Sequence, residues 1–255
     1  MQTKQLLSIK ISLGIYSDFI DTLIEQTLSG PFSYVCVANV HMLIEAYRDL
    51  AFAAVVNNAT IVTPDGQPLT WALKFLYGIK QSRVAGMDLL PDLLSAAEKK
   101  CIPVFFYGGT DTMQNATKNY LASNYPNLKI AGMYSPPFRP LNEAEEMEIL
   151  NKINNSGARL VFVALGCPKQ EKWMASVKGK INSVMIGIGG ALPVLIGMQR
   201  RAPKWMQKAG LEWFFRLYLE PSRLFKRYAV TNSLFVYLIL KEKLSFKKYS
   251  KIHMR

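Results

Sequence analysis

The stretch from Val62 to Asp92 decides the fold, and it reads VTPDGQPLTWALKFLYGIKQSRVAGMDLLPD. It begins at the end of a short apolar run and breaks at Pro64-Asp65-Gly66, a sequence that favours a tight turn. Apolar residues such as Leu69 and Leu73 follow at helical spacing. Asp65 is therefore predicted to lie where a strand passes into a helix. In parallel α/β sheets, ligands bind at the edge where the carboxyl ends of the strands meet.

A second turn, Arg83-Val84-Ala85-Gly86, precedes another predicted helix that begins at Met87. Because Asp65 and Arg83 lie on consecutive loops of one sheet edge, we expect an acid and a guanidinium in the same site. Such a site suits an anionic substrate. The alternative is that Asp65 only caps the helix that follows it, since Pro-Asp-Gly is a common turn sequence.

Apolar, β-branched runs alternate with helical patterns along the first 199 residues. The clearest runs are residues 34–40, 102–107, 128–133, 159–165 and 184–188. Strands that alternate with helices form βαβ units, so the sequence predicts an α/β fold with a Rossmann-like, mostly parallel sheet and helices on both faces. From Ala202 onward the pattern is wholly helical. We therefore expect an α/β core of residues 1–199 and a helical appendage of residues 200–255.

The positive charge of the chain is concentrated in the predicted appendage. The whole sequence of 255 residues carries a formal net charge of +13. Residues 200–255 contain 14 Lys and Arg against three Glu and so carry +11, which leaves +2 for residues 1–199. A basic segment of this kind attracts phosphate groups, either those of a nucleic acid or those of an anionic membrane.

Aromatic and apolar residues interleave with these cations, a pattern typical of helices that lie in a membrane interface. We expect Phe235, Tyr237 and Leu238 to contact the bilayer. The alternative is that the apolar residues belong to the protein core and that the cations are simply solvated. No run is long enough for a spanning helix and no secretory signal is found. The sequence thus predicts a cytoplasmic protein that is peripherally associated with the inner face of the cell membrane.

Two further strand ends carry candidate site residues. Asn39 and His41 follow the run at residues 34–40, and His41 is a second candidate base because imidazole titrates near neutral pH. Gly108 and Gly109 end the run at residues 102–107. Glycines allow a phosphate to approach the backbone, and the following helix N-terminus offers free N–H groups. For His41 the alternative is a structural histidine, and for the two glycines it is an ordinary strand-to-helix turn.

Three longer motifs carry a resemblance to a known family. The first combines the PDG turn at residues 64–66, a helix with a Trp, and RVAGMDL at residues 83–89. The second is LGCPKQEKW at residues 165–173, and the third is RAP at 201–203 followed by GLEW at 210–213. In this order the motifs resemble the WecG/TagA/CpsF family of bacterial glycosyltransferases, glycosyltransferase family 26.

The resemblance implies a GT-E type fold and an inverting, metal-independent transfer in which Asp65 is the catalytic base and Arg83 acts beside it. Together with the strand-end glycines, it implies a set of substrate-binding residues from the strand ends, the second motif and the appendage. These are Asn39, Gly66, Gly108, Gly109, Lys169, Gln170, Glu171, Gly189, Gly190, Arg216, Arg223 and Arg227.

The sequence contains no Asp-x-Asp motif, with which many sugar transferases hold a divalent metal, and its carboxylates form no evident ligand cluster. We therefore expect no metal and no cofactor. The charge of a leaving diphosphate must then be met by Arg83, Lys169 and the arginines after Arg200. The three cysteines are odd in number and far apart, typical of reduced thiols. Cys167, although it lies in the second motif, is expected to be a small buried thiol rather than a nucleophile.

The predicted activity is the transfer of a sugar from a UDP-sugar donor to a polyprenyl-diphosphate-linked saccharide during synthesis of a bacterial cell-surface polysaccharide such as teichoic acid or exopolysaccharide. The sugar would be N-acetylmannosamine, its uronic acid or a glucose type. The expected partners are the donor, the lipid-linked acceptor and a membrane surface but no nucleic acid, and homo-oligomer formation stays open. Two other hypotheses compete with the enzyme: a basic nucleic-acid-binding module and a membrane adaptor without catalysis.

Overall fold

The computed structural model describes residues 1–30 and 32–252, with side chains described up to residue 245. Within these residues the chain forms eight strands and twelve helices. In chain order the elements are β1 (Gln2–Leu6), β2 (Ile9–Leu13), α1 (Tyr16–Ser29), β3 (Tyr34–Ala38), α2 (Val40–Arg48), α3 (Leu50–Asn57), β4 (Ile61–Pro64), α4 (Gln67–Tyr77), α5 (Gly86–Lys99), β5 (Val104–Gly108), α6 (Asp111–Asn124), β6 (Ile130–Tyr134), α7 (Glu143–Asn155), β7 (Leu160–Ala164), α8 (Lys169–Ser176), β8 (Val184–Gly187), α9 (Ala191–Leu195), α10 (Lys204–Lys208), α11 (Glu212–Leu219) and α12 (Pro221–Ile252).

Six of the strands form one parallel sheet in the order β4-β3-β8-β7-β5-β6. The inner strands are continuous apolar runs, such as YVCVA in β3, because both faces of a parallel sheet are covered by helices. One apolar cluster lies on each face: Leu43 and Phe52 belong to the first, and Leu89 and Leu93 belong to the second. The predicted Rossmann-like α/β fold with helices on both faces is therefore confirmed.

A two-stranded antiparallel hairpin, β1 with β2, precedes the sheet. It is joined to the outermost strand β4, where the hydroxyl of Ser12 accepts a hydrogen bond from the backbone N–H of Val62 at 3.1 Å. The first strand of the hairpin reads QTKQL, and only its last residue, Leu6, is buried. Apolar periodicity therefore could not predict this strand.

The predicted appendage is helical throughout its described part and consists of α10, α11 and α12. The long helix α12 packs against α2 and α4. Phe235, Leu238 and Ile239 of α12 are buried in the apolar cluster that also contains Leu43 of α2. The expectation that Phe235 and Leu238 contact a bilayer is therefore wrong.

Tyr237, the third residue expected at the bilayer, is 59% exposed. The helix thus has an inner face that is part of the core and an outer face that meets solvent. The structure does not describe the side chains of Lys247, Lys248 and Lys251 in the basic tail. Residues 253–255 lie outside the described residues altogether. None of the described helices combines the length and the apolar character that a membrane span requires.

Candidate active site

Four strand ends and several helices, among them α4 and α12, surround a cavity of about 1040 Å³. Because β3, β4, β7 and β8 are parallel neighbours, their carboxyl ends open at the same edge of the sheet. Asn39, Asp65, Gly166 and Gly189 follow these four strands in turn and line the cavity. Helices α4 and α12 supply the opposite wall. The sequence-based expectation of a site at this edge, with Asp65 in it, agrees with the geometry.

Asp65 lies at the end of β4 without capping the next helix. Its backbone N–H donates to the carbonyl oxygen of Ala38 on β3 at 2.7 Å, which continues the ladder by one residue. Gly66, with φ +97°, occupies the N-cap position of α4, and the helix receives no side-chain cap. The positive φ explains the glycine, since other residues rarely adopt it. Asp65 therefore does not cap α4, and the alternative interpretation of the Pro-Asp-Gly turn is wrong.

The environment of Asp65 raises the pKa of its carboxyl group from 3.8 to about 7. Burial of the charged form is the main cause, and the negative charges of Glu212 and Asp88 add to it. The guanidinium groups of Arg83 and Arg216 act in the opposite direction. A carboxyl group that titrates near neutral pH can accept a proton from a hydroxyl group and release it again, which is the requirement for a general base.

Arg83 is held between two carboxylates. It donates one hydrogen bond to Glu212 and a second to Asp88, the latter at 2.9 Å. Arg201 donates to the other oxygen of Asp88 at 2.5 Å, and its Nε lies 3.6 Å from Glu212. The four side chains thus form a closed ring of alternating charge. Since both terminal nitrogens of Arg83 are engaged in this ring, Arg83 acts on Asp65 through its charge rather than as an open phosphate ligand.

This charge ring joins motifs that lie far apart in the sequence. Arg83 and Asp88 come from RVAGMDL, Arg201 from RAP and Glu212 from GLEW. Sequence patterns alone do not single out Asp88 or Glu212, because each reads as an ordinary surface charge, whereas Arg201 is among the arginines expected to meet a diphosphate. The position of Asp88 in the first motif and of Glu212 in the third was the one signal that could have found them.

Three further arginines enter the cavity from the appendage: Arg216 on α11, and Arg223 and Arg227 on α12. Arg223 pairs with Glu220, the residue between α11 and α12. Among the described residues, neither Arg216 nor Arg227 lies within ion-pair distance of a carboxylate. A Cβ at Gly190 would come 3.0 Å from Arg216, so the glycine after β8 lets the guanidinium approach the sheet edge. The predicted set of appendage arginines is thus brought to the site.

Gln170 lies in the cavity wall, and its neighbours hold it there. Its Oε1 accepts from the backbone N–H of Gly166 at 3.1 Å, and its Nε2 donates to Glu171 at 2.7 Å. Glu171 is fully buried, and burial raises the pKa of its carboxyl group. A Cβ at Gly187 would lie 2.7 Å from the amide nitrogen of Gln170, so β8 ends in a glycine. Glu171 therefore orients Gln170 and does not itself line the cavity, and exposed Lys169 does not line it either.

Asn39 and His41 both line the cavity next to α2. The Oδ1 of Asn39 accepts from the backbone N–H of Met42 at 3.1 Å and caps α2, which leaves the amide NH₂ as the group that can donate to a ligand. The pKa of His41 is lowered from 6.5, chiefly by burial and secondly by the charge of Arg227. His41 is therefore a second base within reach of the cavity, and one that titrates below Asp65.

Gly108 and Gly109 do not line the cavity. A Cβ at Gly108 would lie 2.6 Å from the carbonyl oxygen of Ala164, so close packing between β5 and β7 requires the glycine. The hydroxyl of Thr110 caps α6 by accepting from Met113. The phosphate role of the two glycines stays a prediction without support from their position.

Cys167 does line the cavity, and burial raises the pKa of its thiol well above the usual range, as expected for an unreactive cysteine.

No group of three or more His, Cys, Asp and Glu side chains with metal-ligand geometry occurs among the residues that the structure describes. The charged groups that line the cavity are instead four arginines, Arg83, Arg216, Arg223 and Arg227, together with Asp65 and Glu212. Such a site can bind an anion of high charge and can accept a proton beside it.

Comparisons with known proteins agree with this chemistry. A sequence model of the glycosyl transferase WecG/TagA/CpsF family matches residues 4–249. The chain is similar to a protein of Bacillus subtilis (strain 168) named N-acetylglucosaminyldiphosphoundecaprenol N-acetyl-beta-D-mannosaminyltransferase. The two are 33% identical over 228 residues, which cover 88% of this chain and 86% of the relative. A protein of the same name from Staphylococcus aureus (strain NCTC 8325 / PS 47) is 28% identical over 219 residues, 84% of this chain and 82% of the relative.

Proposed function

Because the chain belongs to the WecG/TagA/CpsF family and is a glycosyltransferase, we propose that it transfers N-acetylmannosamine from a UDP-sugar to a polyprenyl diphosphate that carries N-acetylglucosamine. The names of its relatives specify the mannosaminyl group and the undecaprenol diphosphate. They lend no support to a uronic acid or glucose donor. The observation that carries the proposal is the position of Asp65, a carboxyl group with a pKa of about 7, opposite the arginines of the appendage.

In the proposed mechanism, Asp65 takes the proton from a hydroxyl group of the acceptor sugar. The hydroxyl oxygen forms a bond to the anomeric carbon of the donor while the bond from that carbon to the diphosphate of UDP breaks. Attack on the face opposite the leaving group inverts the configuration. The proton resides on Asp65 at the end of the step and is lost to solvent, which the pKa near 7 permits.

The leaving diphosphate develops negative charge, and fixed cations that face it stabilise the transition state. We assign this role to Arg216, because Gly190 lets its guanidinium approach the sheet edge near Asp65. We assign Arg223 and Arg227 to the diphosphate of the acceptor. With these cations in place, the proposed reaction proceeds without a metal ion.

A lipid-linked acceptor remains in the bilayer, so the enzyme must come to the membrane. The outer surfaces of α11 and α12 carry exposed aromatic residues, among them Phe214, Tyr218 and Phe225. Exposed Lys226 follows Phe225 directly, and each basic residue near an anionic surface contributes about 1 kcal/mol of attraction. We propose that this surface holds the protein at the inner face of the cell membrane, where it acts in the synthesis of a cell-wall polymer.

The test is a matrix of donors and acceptors with release of UDP as the readout. The donors are UDP-N-acetylmannosamine, its uronic acid, UDP-glucose and UDP-N-acetylglucosamine. The acceptors are polyprenyl diphosphates that carry N-acetylglucosamine or another sugar. We expect turnover only when UDP-N-acetylmannosamine is combined with the N-acetylglucosamine lipid, and an inverted anomeric linkage in the product. The Asp65→Asn variant is the matched control. Turnover with a different donor would reject the assigned sugar, and a product that retains the configuration would reject the mechanism.

A further inference from the structure

The cavity extends past the catalytic groups into a groove between α4 and α12, here called the α4–α12 groove. Trp71, Ala72 and Phe75 of α4 form one side, and Val236 and Leu240 of α12 form the other. The four larger side chains are between 47% and 53% exposed. Large apolar residues that stay half exposed around one concave surface mark a place where an apolar ligand binds.

The polarity of the cavity wall changes steadily along one face of α12. Arg223 and Arg227 line the cavity at the start of this face, Thr231 and Asn232 follow, and the wall is apolar from there to Leu240. These residues recur about every four positions, so they share one side of the helix. From Arg227 to Leu240 the face is about 20 Å long at the usual rise of an α-helix.

This order of groups matches an amphiphile with a diphosphate head and a hydrocarbon chain. A sugar nucleotide is polar throughout and would leave the apolar end of the wall without a partner. We propose that the α4–α12 groove binds the first isoprenoid units of the acceptor lipid, with the lipid diphosphate on Arg223 and Arg227. That the ligand is the polyprenyl acceptor rests on the proposed function. That the groove suits an apolar chain joined to a diphosphate rests on the residues that line it.

The ends of the groove fix how the acceptor lies in it. At one end the wall meets Asp65, so the sugar beyond the diphosphate is directed to the base. At the other end the ammonium group of Lys243 donates to the carbonyl oxygen of Phe75 at 2.5 Å, and the hydroxyl of Tyr77 donates to Glu242 at 3.1 Å. These bonds hold α4 and α12 at a set spacing before any ligand arrives, which lowers the entropic cost of binding.

The test uses farnesyl diphosphate, which has a diphosphate and three isoprenoid units, and inorganic diphosphate, which has no chain. Their dissociation constants are measured by isothermal titration calorimetry, with farnesyl diphosphate below the concentration at which it forms micelles. The test variant is Val236→Gln/Leu240→Gln, which keeps the helix and makes the groove polar. The matched control is Val230→Gln/Leu244→Gln, which removes two exposed apolar residues of α12 outside the groove.

We expect the wild-type protein to bind farnesyl diphosphate at least tenfold more tightly than inorganic diphosphate. In the groove variant that advantage falls about tenfold, or ~1.4 kcal/mol, while the affinity for inorganic diphosphate is unchanged. The control variant behaves like the wild type. In transfer assays, the groove variant raises the KM for an acceptor with a farnesyl chain and leaves the kcat as it is.

Three results would overturn the inference. The first is equal affinity of the wild type for the two ligands. The second is an equal loss in the groove and control variants, which indicates general adsorption of hydrocarbon. The third is a wild type that sediments as a dimer and a groove variant that sediments as a monomer with its affinity for farnesyl diphosphate unchanged, which would assign the groove to a second copy of this chain. Because binding requires no sugar transfer, failure of the groove and failure of the proposed function give different results.

Discussion

The guanidinium of Arg83 donates a hydrogen bond to the carboxylate of Glu212, which lies 129 residues further along the chain. The two side chains are only 15% and 19% exposed. The bond ties the loop before α5 to the first turn of α11, so the appendage completes the site that the parallel sheet begins. Since Arg83 lowers and Glu212 raises the pKa of Asp65, the same pair also adjusts the proton affinity that burial gives the proposed base.

Asp65→Asn should lower the kcat by about 10² or more, the scale expected for loss of a general base. The measurement is UDP release at saturating donor and acceptor. The control is His41→Gln, which removes the second candidate base from the same cavity and should retain most of the activity. If instead His41→Gln loses activity on this scale and Asp65→Asn retains most of it, the base is His41.

The same variant should be more stable than the wild type. In the folded protein Asp65 titrates at about 7, above its ordinary 3.8, so ionisation of Asp65 costs folding free energy as the pH rises between these values. Thermal unfolding should therefore show a higher Tm for Asp65→Asn at pH 8, and a smaller difference at pH 4.5. A lower Tm at pH 8 would mean that the ionised carboxylate is stabilised in the fold.

The pH dependence of kcat/KM should have an acidic limb near pH 7, because the base must be ionised and the pKa of Asp65 is about 7. Glu212→Gln removes a negative charge that raises this pKa, so the limb should move to lower pH. Arg83→Gln removes a positive charge that lowers it, so the limb should move to higher pH. Steady-state rates between pH 5 and pH 9 measure the shifts.

A histidine base would give a different pH profile. The pKa of His41 lies below its ordinary 6.5, so its limb would lie below that of Asp65. That limb would disappear in His41→Gln and would scarcely respond to Glu212→Gln. A limb that stays in place in both charge-ring variants would contradict the role given to Arg83 and Glu212.

The appendage arginines should have separable effects. Arg216→Ala should lower the kcat by about 10², because a cation that faces the leaving diphosphate acts in the transition state. Arg223→Ala and Arg227→Ala should chiefly raise the KM for the lipid acceptor. Lys226→Ala is the matched control when the acceptor is a short-chain analogue in solution, since Lys226 lies on the same helix and does not line the cavity. An equal loss in the control would point to the overall charge of the appendage instead.

Turnover should survive treatment with EDTA. The cavity wall offers Arg216, Arg223 and Arg227 as counter-charges for diphosphate groups, so we expect the reaction to need no divalent ion. The rate is compared before and after chelation, and again after addition of Mg²⁺ or Mn²⁺. Inactivation by EDTA that either ion reverses would contradict this expectation.

Vesicles with anionic lipid should bind the protein in low salt and release it in high salt. Phe214→Ser/Tyr218→Ser/Phe225→Ser should weaken that binding, since these exposed aromatic residues lie on the outer surface of α11 and α12. Phe138→Ser is the control, because Phe138 is exposed on a distant loop. Co-sedimentation measures the effect. Equal binding by the triple variant and the control would place the membrane contact elsewhere, and salt-sensitive binding of DNA in preference to vesicles would favour a nucleic-acid partner.

The repeat of apolar residues along the chain was sufficient to predict the sheet, its helices and the place of Asp65. Period and β-branching are local properties, and a continuous apolar run such as YVCVA in β3 is the pattern of a strand that is covered on both faces. The Pro-Asp-Gly sequence likewise predicted a turn after β4, and this placed Asp65 at the end of that strand. The turn could be predicted because it depends on one residue, Gly66, which adopts a positive φ.

The tertiary structure alone decided which charges meet. Arg83 was predicted to lie beside Asp65 at a site for an anion, and only the tertiary structure pairs it with Asp88 and Glu212. Phe235 and Leu238 were expected at a bilayer and are buried, because only packing against α2 and α4 determines which side of α12 faces inward. A local pattern specifies that a helix has an apolar face, but the partner of that face, like the pairing of Arg83 with Glu212, depends on contacts between segments that are more than a hundred residues apart.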